Sequence, residues 1–330
     1  MPPKSILITS ASGNIGRDLI PLLLATTPKT TTLVLPTSSS TRLSSALPPA
    51  LDTTRLSIVE GAVADPQWLE SVCSTHAVST AFLNLGGQDE LFTTLGALDA
   101  FARAGVKHVV YLSCAGEFTT AEGAARWYGE WGSASVAVKM AVEQRLWHAC
   151  SPSSSDYPFK WTVVGPTLFF ENDVRTKELL LGEGWMPEPL GEQGVSRVSC
   201  KDVARVVARC VEDGGERLGG RKVNVGSLRR YTGREIEGLW SEALGREVRM
   251  GKGDGEGLRL YEEHWASVIP GTAGRAVGRD LDMMCRGWVK NGYGLSEDEY
   301  RFLRAVLGKE TDDYGAWVAE TGKRLRAESK

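Results

Sequence analysis

A run of small residues between an apolar segment and a predicted helix has the composition of a phosphate-binding loop. The apolar run at residues 5–9 leads into this segment, and a helical pattern follows at 14–25. Small side chains let the backbone approach a pyrophosphate, and the first N–H groups of the helix favour its charge. The strand before and the helix after distinguish such a loop from an ordinary tight turn. The residues predicted to bind a dinucleotide are Thr9, Ser10, Ser12, Gly13, Asn14, Ile15 and Gly16.

The residues after the second predicted strand decide which dinucleotide fits. A carboxylate there accepts a hydrogen bond from the ribose 2′-hydroxyl of NAD, whereas a basic residue holds the 2′-phosphate of NADP. The chain has Pro36 followed by Thr37-Ser38-Ser39-Ser40-Thr41-Arg42, without a carboxylate. Thr37, Ser38 and Arg42 are therefore predicted to hold a 2′-phosphate, and NADP(H) is the predicted cofactor. The alternative is that Arg42 is a solvated loop residue.

Strands that alternate with helices position these candidate residues. Short apolar runs at 5–9, 32–35, 56–59, 78–83, 107–112 and 161–164 alternate with helical patterns at 14–25, 66–73, 89–104 and 135–150. Such alternation predicts βαβ units and a parallel sheet. We therefore predict an α/β fold with a doubly wound parallel sheet, in which residues 1–165 form a Rossmann core. Residues 166–330 are predicted to form a smaller C-terminal α/β substrate lobe, with some segments returning to the core.

Charge and cysteine content exclude several classes of function. The net charge of −3 argues against a nucleic-acid-binding surface, because such domains are usually basic. The six cysteines form no C-x-x-C pair and have no histidine at metal-ligand spacing, which predicts reduced thiols and no metal site. The longest apolar run, residues 19–25, is far shorter than the ~20 residues that cross a membrane. We predict a cytoplasmic protein that binds a small molecule and neither nucleic acid nor membrane.

Further motifs follow the loop in a fixed order. They are a strand at 106–113 that ends in Ser113, a K-x-x-x-E helix with Lys139 and Glu143, the segment 161–172 that ends in Glu-Asn, Asp202 before a helix, and the later segments 231–236, 244–248 and 308–320. In this order they resemble the NmrA-like proteins, an atypical branch of the short-chain dehydrogenases/reductases. The resemblance spans residues 4–322.

This resemblance implies a Rossmann domain that binds NAD(P), usually NADP(H), with a small C-terminal substrate lobe. Four positions depart from the family pattern: Ser10 stands for the first glycine of the loop, Pro36 for a basic residue, Ala62 for an acidic residue and Gly165 for an arginine. The Cβ of Ser10 is expected to crowd the turn and weaken binding. Pro166, which follows the last of these positions, is predicted to contact the cofactor.

The family's catalytic pair is only half present. Short-chain reductases typically carry Tyr and Lys four residues apart on one helix, where Lys holds the nicotinamide ribose and Tyr donates a proton. Here Lys139 is present and Ser135 occupies the Tyr position, where a hydroxyl cannot act as an acid near neutral pH. The predicted catalytic residues are Lys139 as ribose and proton-relay contact, Ser113 as a group polarising a substrate oxygen, and Tyr128 as a displaced acid. Plainer alternatives are a solvated lysine, a backbone-satisfied serine and a packing tyrosine.

Aromatic residues follow the fifth and sixth predicted strands and are expected to open above the cofactor. They predict a pocket for a bulky apolar or aromatic substrate, with ordinary packing between lobes as the alternative. The predicted substrate-binding residues are Trp127, Trp131, Phe169, Phe170 and Trp185.

Three functions are compatible with these residues. The first is an NADP(H)-dependent oxidoreductase of secondary metabolism, which transfers hydride without the usual Tyr to an acceptor that is already electron-poor. The second is a non-redox cyclase or isomerase that uses the bound cofactor as a wall of its pocket. The third is a regulator that senses NADP against NADPH and docks a protein partner.

Overall fold

The computed structural model describes residues 5–49, 51–87, 89–130, 132–151, 154 and 156–328, without the side chains of Tyr128 and Glu130. The strands are β1 (Ser5–Ile8), β2 (Thr32–Thr37), β3 (Leu56–Glu60), β4 (Thr80–Leu83), β5 (His108–Leu112), β6 (Lys160–Pro166), β7 (Leu168–Phe169), β8 (Trp185–Met186), β9 (Val195–Val198), β10 (Arg221–Val225), β11 (Arg230–Tyr231) and β12 (Arg249–Met250). The helices are α1 (Asn14–Thr26), α2 (Ser40–Ala46), α3 (Pro66–Thr75), α4 (Glu90–Arg103), α5 (Ala121–Glu130), α6 (Ala134–Ala149), α7 (Lys177–Gly182), α8 (Cys200–Asp213), α9 (Gly233–Leu244), α10 (Gly255–Val268), α11 (Gly271–Asn291), α12 (Glu297–Leu307) and α13 (Tyr314–Glu328).

Seven parallel strands form the main sheet, in the order β10-β6-β5-β4-β1-β2-β3. The strand order reverses between β1 and β4, and ligands of open α/β sheets bind beside such a reversal at the carboxyl ends of the strands. The loops after β1, β2, β4, β5 and β6 therefore meet at one edge. The predicted doubly wound parallel sheet is confirmed.

The strands are short continuous apolar runs because helices cover both faces of the sheet. The four residues of β1 are all buried, as expected of a parallel strand that helices cover on both sides. One face packs with α1 and α8 in a core that includes Leu19 and Val207, and the other packs with α3, α4 and α6 around Phe101 and Leu146. This packing fixes the edge at which the loops meet.

A second apolar core joins residues after the sixth strand to some that precede it, among them Phe118. Its largest members include Trp240, Tyr261, Trp288 and Tyr314, from α9, α10, α11 and α13. In contrast, α8 packs in the core of the main sheet and β10 forms its last strand. The division into residues 1–165 and 166–330 stays a prediction.

Two local expectations need correction. β2 continues through Pro36 to Thr37, because pairing with β1 ends at Val34 and the missing amide hydrogen of proline is tolerated there. The segment after β5, where no helix was predicted, contains the helix α5, whose Trp127 packs edge-on against Phe118 at 5.0 Å between ring centres. That tertiary contact leaves no trace in the local sequence.

Candidate functional site

The loop after β1 forms a tight turn around the position that departs from the family pattern. Ser10 has a φ of 53°, in the left-handed region that favours glycine. Its hydroxyl donates a 2.8 Å hydrogen bond to the carbonyl oxygen of Asn84, and its own carbonyl accepts from Gly13 N at 2.9 Å. Serine therefore adopts the glycine conformation, and its side chain bonds to the loop after β4.

The N-terminus of α1 is shaped for an anionic ligand. Gly13 is its N-cap and has no side chain to occupy the first N–H groups, and Ser12 and Asn14 are exposed beside it. A Cβ at residue 16 would lie 2.5 Å from the carbonyl oxygen of Ala11, so only glycine allows this close approach. The loop therefore fits the pyrophosphate of a dinucleotide, held by backbone N–H groups and the positive end of the helix.

The side chains of two loop residues have roles other than the predicted ligand contact. One further candidate contact, Arg17, was not predicted. Thr9 is fully buried, and its hydroxyl bonds to the carbonyl oxygens of Phe82 and Asn84, so its side chain anchors the loop. The Ile15 side chain is also buried, which leaves only its backbone N–H for a ligand. Arg17, in the first turn of α1, is exposed and donates to Asn14 at 2.7 Å.

The segment after β2 presents hydroxyl groups and a guanidinium. Arg42 donates a 2.8 Å hydrogen bond to the hydroxyl of Ser38, and both residues are exposed. The hydroxyl of Thr37 bonds to the carbonyl oxygen of Ser39, so Thr37 shapes the turn. Arg42 and Ser38 thus lie together, as a pair that holds a phosphate would.

A carboxylate that the sequence reasoning missed lies at the same place. Glu60 ends β3 and pairs in register with Thr37 at the end of β2. Its carboxylate accepts a 2.9 Å hydrogen bond from Ser40 N, and this bond lowers the pKa of Glu60. The signal was available, because parallel strands of matched length bring the end of β3 beside the end of β2.

A cavity of about 330 Å³ opens at the carboxyl ends of β5 and β6. Three predicted residues of different roles, Ser113, Lys139 and Pro166, share its lining with the aromatic side chains of Trp127 and Phe169. Trp288, Met284 and Tyr293, from α11 and the turn after it, were not predicted. No local motif marks them, since they reach the cavity only through the packing of α11.

Lys139 is fixed on the floor of this cavity. Its ammonium group donates to the carboxylate of Glu90 and, at 3.2 Å, to the carbonyl oxygen of Leu112. It also lies 5.4 Å from the centre of the Tyr111 ring. These contacts argue against the alternative of a solvated helix lysine.

Ser113 begins a chain of buried polar contacts. Its hydroxyl donates to Glu143 Oε1, which also accepts from the ammonium group of Lys222 at 2.8 Å. Glu143 is almost fully buried, and this burial raises the pKa of its carboxyl group, while Lys222 opposes the rise. The alternative that a backbone group satisfies the Ser113 hydroxyl is wrong, because the Glu143 carboxylate accepts its hydrogen bond.

Ser135, at the family's Tyr position, is a structural residue. Asp280 of α11 accepts from the hydroxyl of Ser135 and from the backbone N–H groups of Ala134 and Ser135. The carboxylate of a distant helix therefore caps the N-terminus of α6.

Three predicted substrate residues lie elsewhere or outside the described residues. Phe170 is fully buried and packs against Tyr314 and Trp317, because the chain turns inward after Phe169. Trp185 lines a separate cavity beside β12. Trp131 and the side chain of Tyr128 lie outside the described residues.

The described residues were also compared with the requirements of a metal site and of a membrane-spanning helix. Among residues 5–49, 51–87, 89–130, 132–151, 154 and 156–328, no group of three or more His, Cys, Asp or Glu side chains is arranged to hold a metal ion. In the same part of the chain, no helix is both long and apolar enough to cross a membrane.

Comparisons with known proteins agree with this geometry. A model of the NAD(P)H-binding family matches residues 10–214. No curated protein sequence matches the chain.

Several solved structures share the fold. The NADPH-dependent quinone oxidoreductase of Escherichia coli in complex with NADPH is 16% identical with a TM-score of 0.75, over 96% of this chain and 99% of that one. The Citrobacter sp. triphenylmethane reductase complexed with NADP(H) is 16% identical with a TM-score of 0.69, over the same shares. A nucleoside-diphosphate-sugar epimerase of Staphylococcus aureus is 12% identical with a TM-score of 0.72, again over 96% and 99%.

At such identities these likenesses show the fold alone, whereas the family match covers more than half of the chain. The prediction of a nicotinamide cofactor is confirmed at the level of the family. The chain belongs to the NAD(P)H-binding family, as its resemblance to NmrA-like short-chain dehydrogenases/reductases predicts.

Proposed function

We propose that the protein is an NADP(H)-dependent oxidoreductase that reduces a bulky apolar or aromatic small molecule. The observation that carries this proposal is the cavity at the ends of β5 and β6, which combines Ser113 and Lys139 with aromatic walls. It opens at the sheet edge that also carries the phosphate loop. Its volume of about 330 Å³ lies in the range of small-molecule sites. A place in secondary metabolism is part of the proposal.

The choice of NADP(H) rests on the adenosine end. Arg42 and Ser38 lie together after β2, and the exposed Arg17 lies in the first turn of α1. A 2′-phosphate there accepts charge-assisted hydrogen bonds from a guanidinium. Glu60 opposes this choice, because its carboxylate already accepts from Ser40 N and repels a phosphate. We propose that the two arginines outweigh this single carboxylate.

Each residue of the cavity then has a task. Bound NADPH supplies the hydride. Lys139, held by Glu90 and the carbonyl oxygen of Leu112, would donate a hydrogen bond to a ribose hydroxyl of the cofactor. Trp127, Phe169 and Trp288 exclude water and stack on the substrate. Without an acid at Ser135, the preferred hydride acceptor is already electron-poor, such as a quinone or a cationic dye.

Calorimetric titration with NADPH and NADH tests the cofactor half of this proposal. We expect NADPH to bind more tightly than NADH. Gly16→Ala should weaken both, because its Cβ would collide with the carbonyl oxygen of Ala11. Gly238→Ala is the matched control, since a Cβ on this exposed residue of α9 meets nothing within 4 Å.

A screen of hydride acceptors tests the chemical half. Oxidation of NADPH should occur with quinones or triarylmethane dyes, and Lys139→Met should reduce kcat. Oxidation of NADPH by no acceptor, despite tight binding, would contradict the proposal and favour the cyclase or the regulatory sensor. Binding of neither cofactor would contradict it at the first step.

A further inference from the structure

The geometry points to a proton relay from Ser113 through Glu143 to an outer groove beside Lys222, through which Glu143 supplies the proton that a reduced substrate oxygen takes up. This inference rests on the proposed reductase function and assigns the acid that position 135 lacks. Ser113 lines the substrate cavity. Glu143 and Lys222 line a separate groove of about 310 Å³, together with Glu117 and Arg221. The contacts Ser113–Glu143 and Glu143–Lys222 join the two spaces.

The bonding of Glu143 differs from that of a purely structural ion pair. Both donors, Ser113 and Lys222, bond to the Oε1 atom. The Oε2 atom is buried and has no hydrogen-bond partner among the described residues. A buried carboxylate oxygen without a donor is costly when charged, and a proton removes that cost. The carboxyl group is therefore built to hold a proton and to release it.

A glycine that departs from the family pattern makes room for the relay. A Cβ at Gly165 would lie 2.8 Å from Lys222 Cε and 2.6 Å from Asn224 Oδ1. The family often has an arginine at this position of β6, whereas Gly165 has no side chain. The side chain of Lys222, on the adjacent strand β10, occupies the space that is left free. Lys222 then lies 3.9 Å from the centre of the Phe118 ring and reaches Glu143.

Three titratable groups near Glu143, one thiol and two phenols, are weaker acids than its carboxyl group. Burial raises the pKa of Cys114 to about 11 and raises those of Tyr111 and Tyr293 well above their usual value, so all three keep their protons near neutral pH. Glu117 faces the groove as a further carboxylate and opposes ionisation of Glu143, whereas Lys222 favours it. Glu90 is a second carboxylate that acts on Cys114, and it is paired with the ammonium group of Lys139.

Hydride transfer leaves one negative charge on the substrate oxygen, which takes the hydroxyl proton of Ser113. As that O–H bond breaks, the Ser113 oxygen takes the proton that the Glu143 carboxyl group carries on Oε1, the atom in contact with Ser113. Glu143 becomes a carboxylate stabilised by the Lys222 ammonium. One proton from bulk solvent, passed on by water in the groove, then reprotonates Glu143. Lys222 acts here as a positioning residue and keeps its charge.

Infrared titration of the full chain tests whether Glu143 carries this proton. We expect a carboxylic acid C=O band that titrates above the exposed carboxyl groups and disappears in Glu143→Gln. Lys222→Met should move its midpoint to higher pH, because Lys222 favours the ionised form. Glu216→Gln, which removes an exposed carboxylate paired with Lys160, is the matched control and should leave the band intact. A band that persists in Glu143→Gln would overturn the relay.

Kinetics with two acceptors tests whether the proton is used. A quinone takes up protons on reduction, whereas a cationic triarylmethane dye needs only hydride. Glu143→Gln, which leaves the lining of the substrate cavity intact, should lower kcat for the quinone about 10²-fold or more and the dye rate far less, with KM little changed. Ser113→Ala should also lower kcat for the quinone. Equal losses with both acceptors would overturn the relay. If wild-type protein reduces neither acceptor, the proposed function fails, and the infrared result alone supports or overturns the proton-holding role of Glu143.

Discussion

At the phosphate end of the sheet edge, the candidate ligand contacts come from one continuous segment, residues 9–16, and mostly from its backbone. At the substrate end they come from side chains on separate elements, among them Lys139 on α6, Phe169 on β7 and Trp288 on α11. The phosphate end is exposed and depends on the absence of side chains. The substrate end is buried and depends on charge pairing, so equal chemical changes should have unequal effects at the two ends.

Two buried carboxylates near the substrate end show how charge pairing can serve structure or chemistry. Asp173 bonds through both oxygens: Oδ1 accepts from Arg197, and Oδ2 accepts from Tyr314 and, at 2.9 Å, from Trp240. Glu143 uses only Oε1, and its Oε2 has no partner among the described residues. The donors at both oxygens give Asp173 a structural role. Glu143 has one oxygen without a donor, as the proposed relay requires.

The largest effect should come from removing the satisfied carboxylate. Asp173→Ala leaves the Arg197 guanidinium buried without its main partner, which typically costs about 3–5 kcal/mol. Glu143→Ala should cost about 1–2 kcal/mol, because Lys222 borders a groove that water can enter. Urea unfolding at neutral pH measures both losses. Equal losses would break the distinction between the two carboxylates.

A third carboxylate sharpens the distinction through pH. Burial raises the pKa of Glu188 to about 7, and Arg197 lies 3.8 Å away, too far for a hydrogen bond. Because the folded state favours the protonated form, its contribution to stability is present below the unfolded pKa and is lost as pH rises towards 7. Each pKa unit is worth about 1.4 kcal/mol, so Glu188→Gln should gain about 3 kcal/mol relative to wild type between about pH 5 and about pH 8. The exposed Glu192→Gln is the control.

The phosphate end should respond to one added methyl group. Gly16→Ala places a Cβ 2.5 Å from a backbone oxygen, and the resulting shift should weaken NADPH binding about tenfold to hundredfold, or 1–3 kcal/mol. Gly238→Ala should change the affinity by less than about twofold. An unchanged affinity in Gly16→Ala would show that the loop does not contact the cofactor.

Cofactor preference should change with Glu60. Glu60→Gln removes the negative charge beside Ser38 and Arg42 while an amide oxygen can still accept from Ser40 N. We expect the affinity for NADPH to rise several-fold relative to NADH, because the exposed carboxylate no longer repels the 2′-phosphate. Calorimetry with both cofactors measures the ratio. An increased preference for NADH would show that Glu60 does not oppose the 2′-phosphate.

The smallest effect should come from Ser10. Its φ of 53° costs a non-glycine residue about 1 kcal/mol, so Ser10→Gly should relieve this strain. The lost hydrogen bond to Asn84 offsets part of the gain. Thermal unfolding should show an unchanged or slightly higher Tm, with no weaker NADPH binding. A clear loss of stability would mean that the serine hydroxyl outweighs its backbone strain.

Local patterns were enough to predict the phosphate loop, the strands and the helices of the Rossmann core. The loop depends on neighbouring residues only, and buried parallel strands appear as short apolar runs. Lys139 and Ser113 were predicted as candidate site residues from their positions on one helix and at the end of one strand. Their partners Glu90, Glu143 and Lys222 were given no role, because each lies on another element and no spacing rule connects them.

The sequence by itself determined the sheet, the edge at which its loops meet and the backbone of the candidate phosphate loop. Tertiary structure decided which charged groups are buried together and that Phe170 belongs to the core. It also decided that Asp280 accepts a hydrogen bond from the hydroxyl of Ser135. The physical reason is range. Backbone conformation and apolar periodicity act over a few residues, whereas the charge state of a buried group depends on every chain segment that the fold brings beside it.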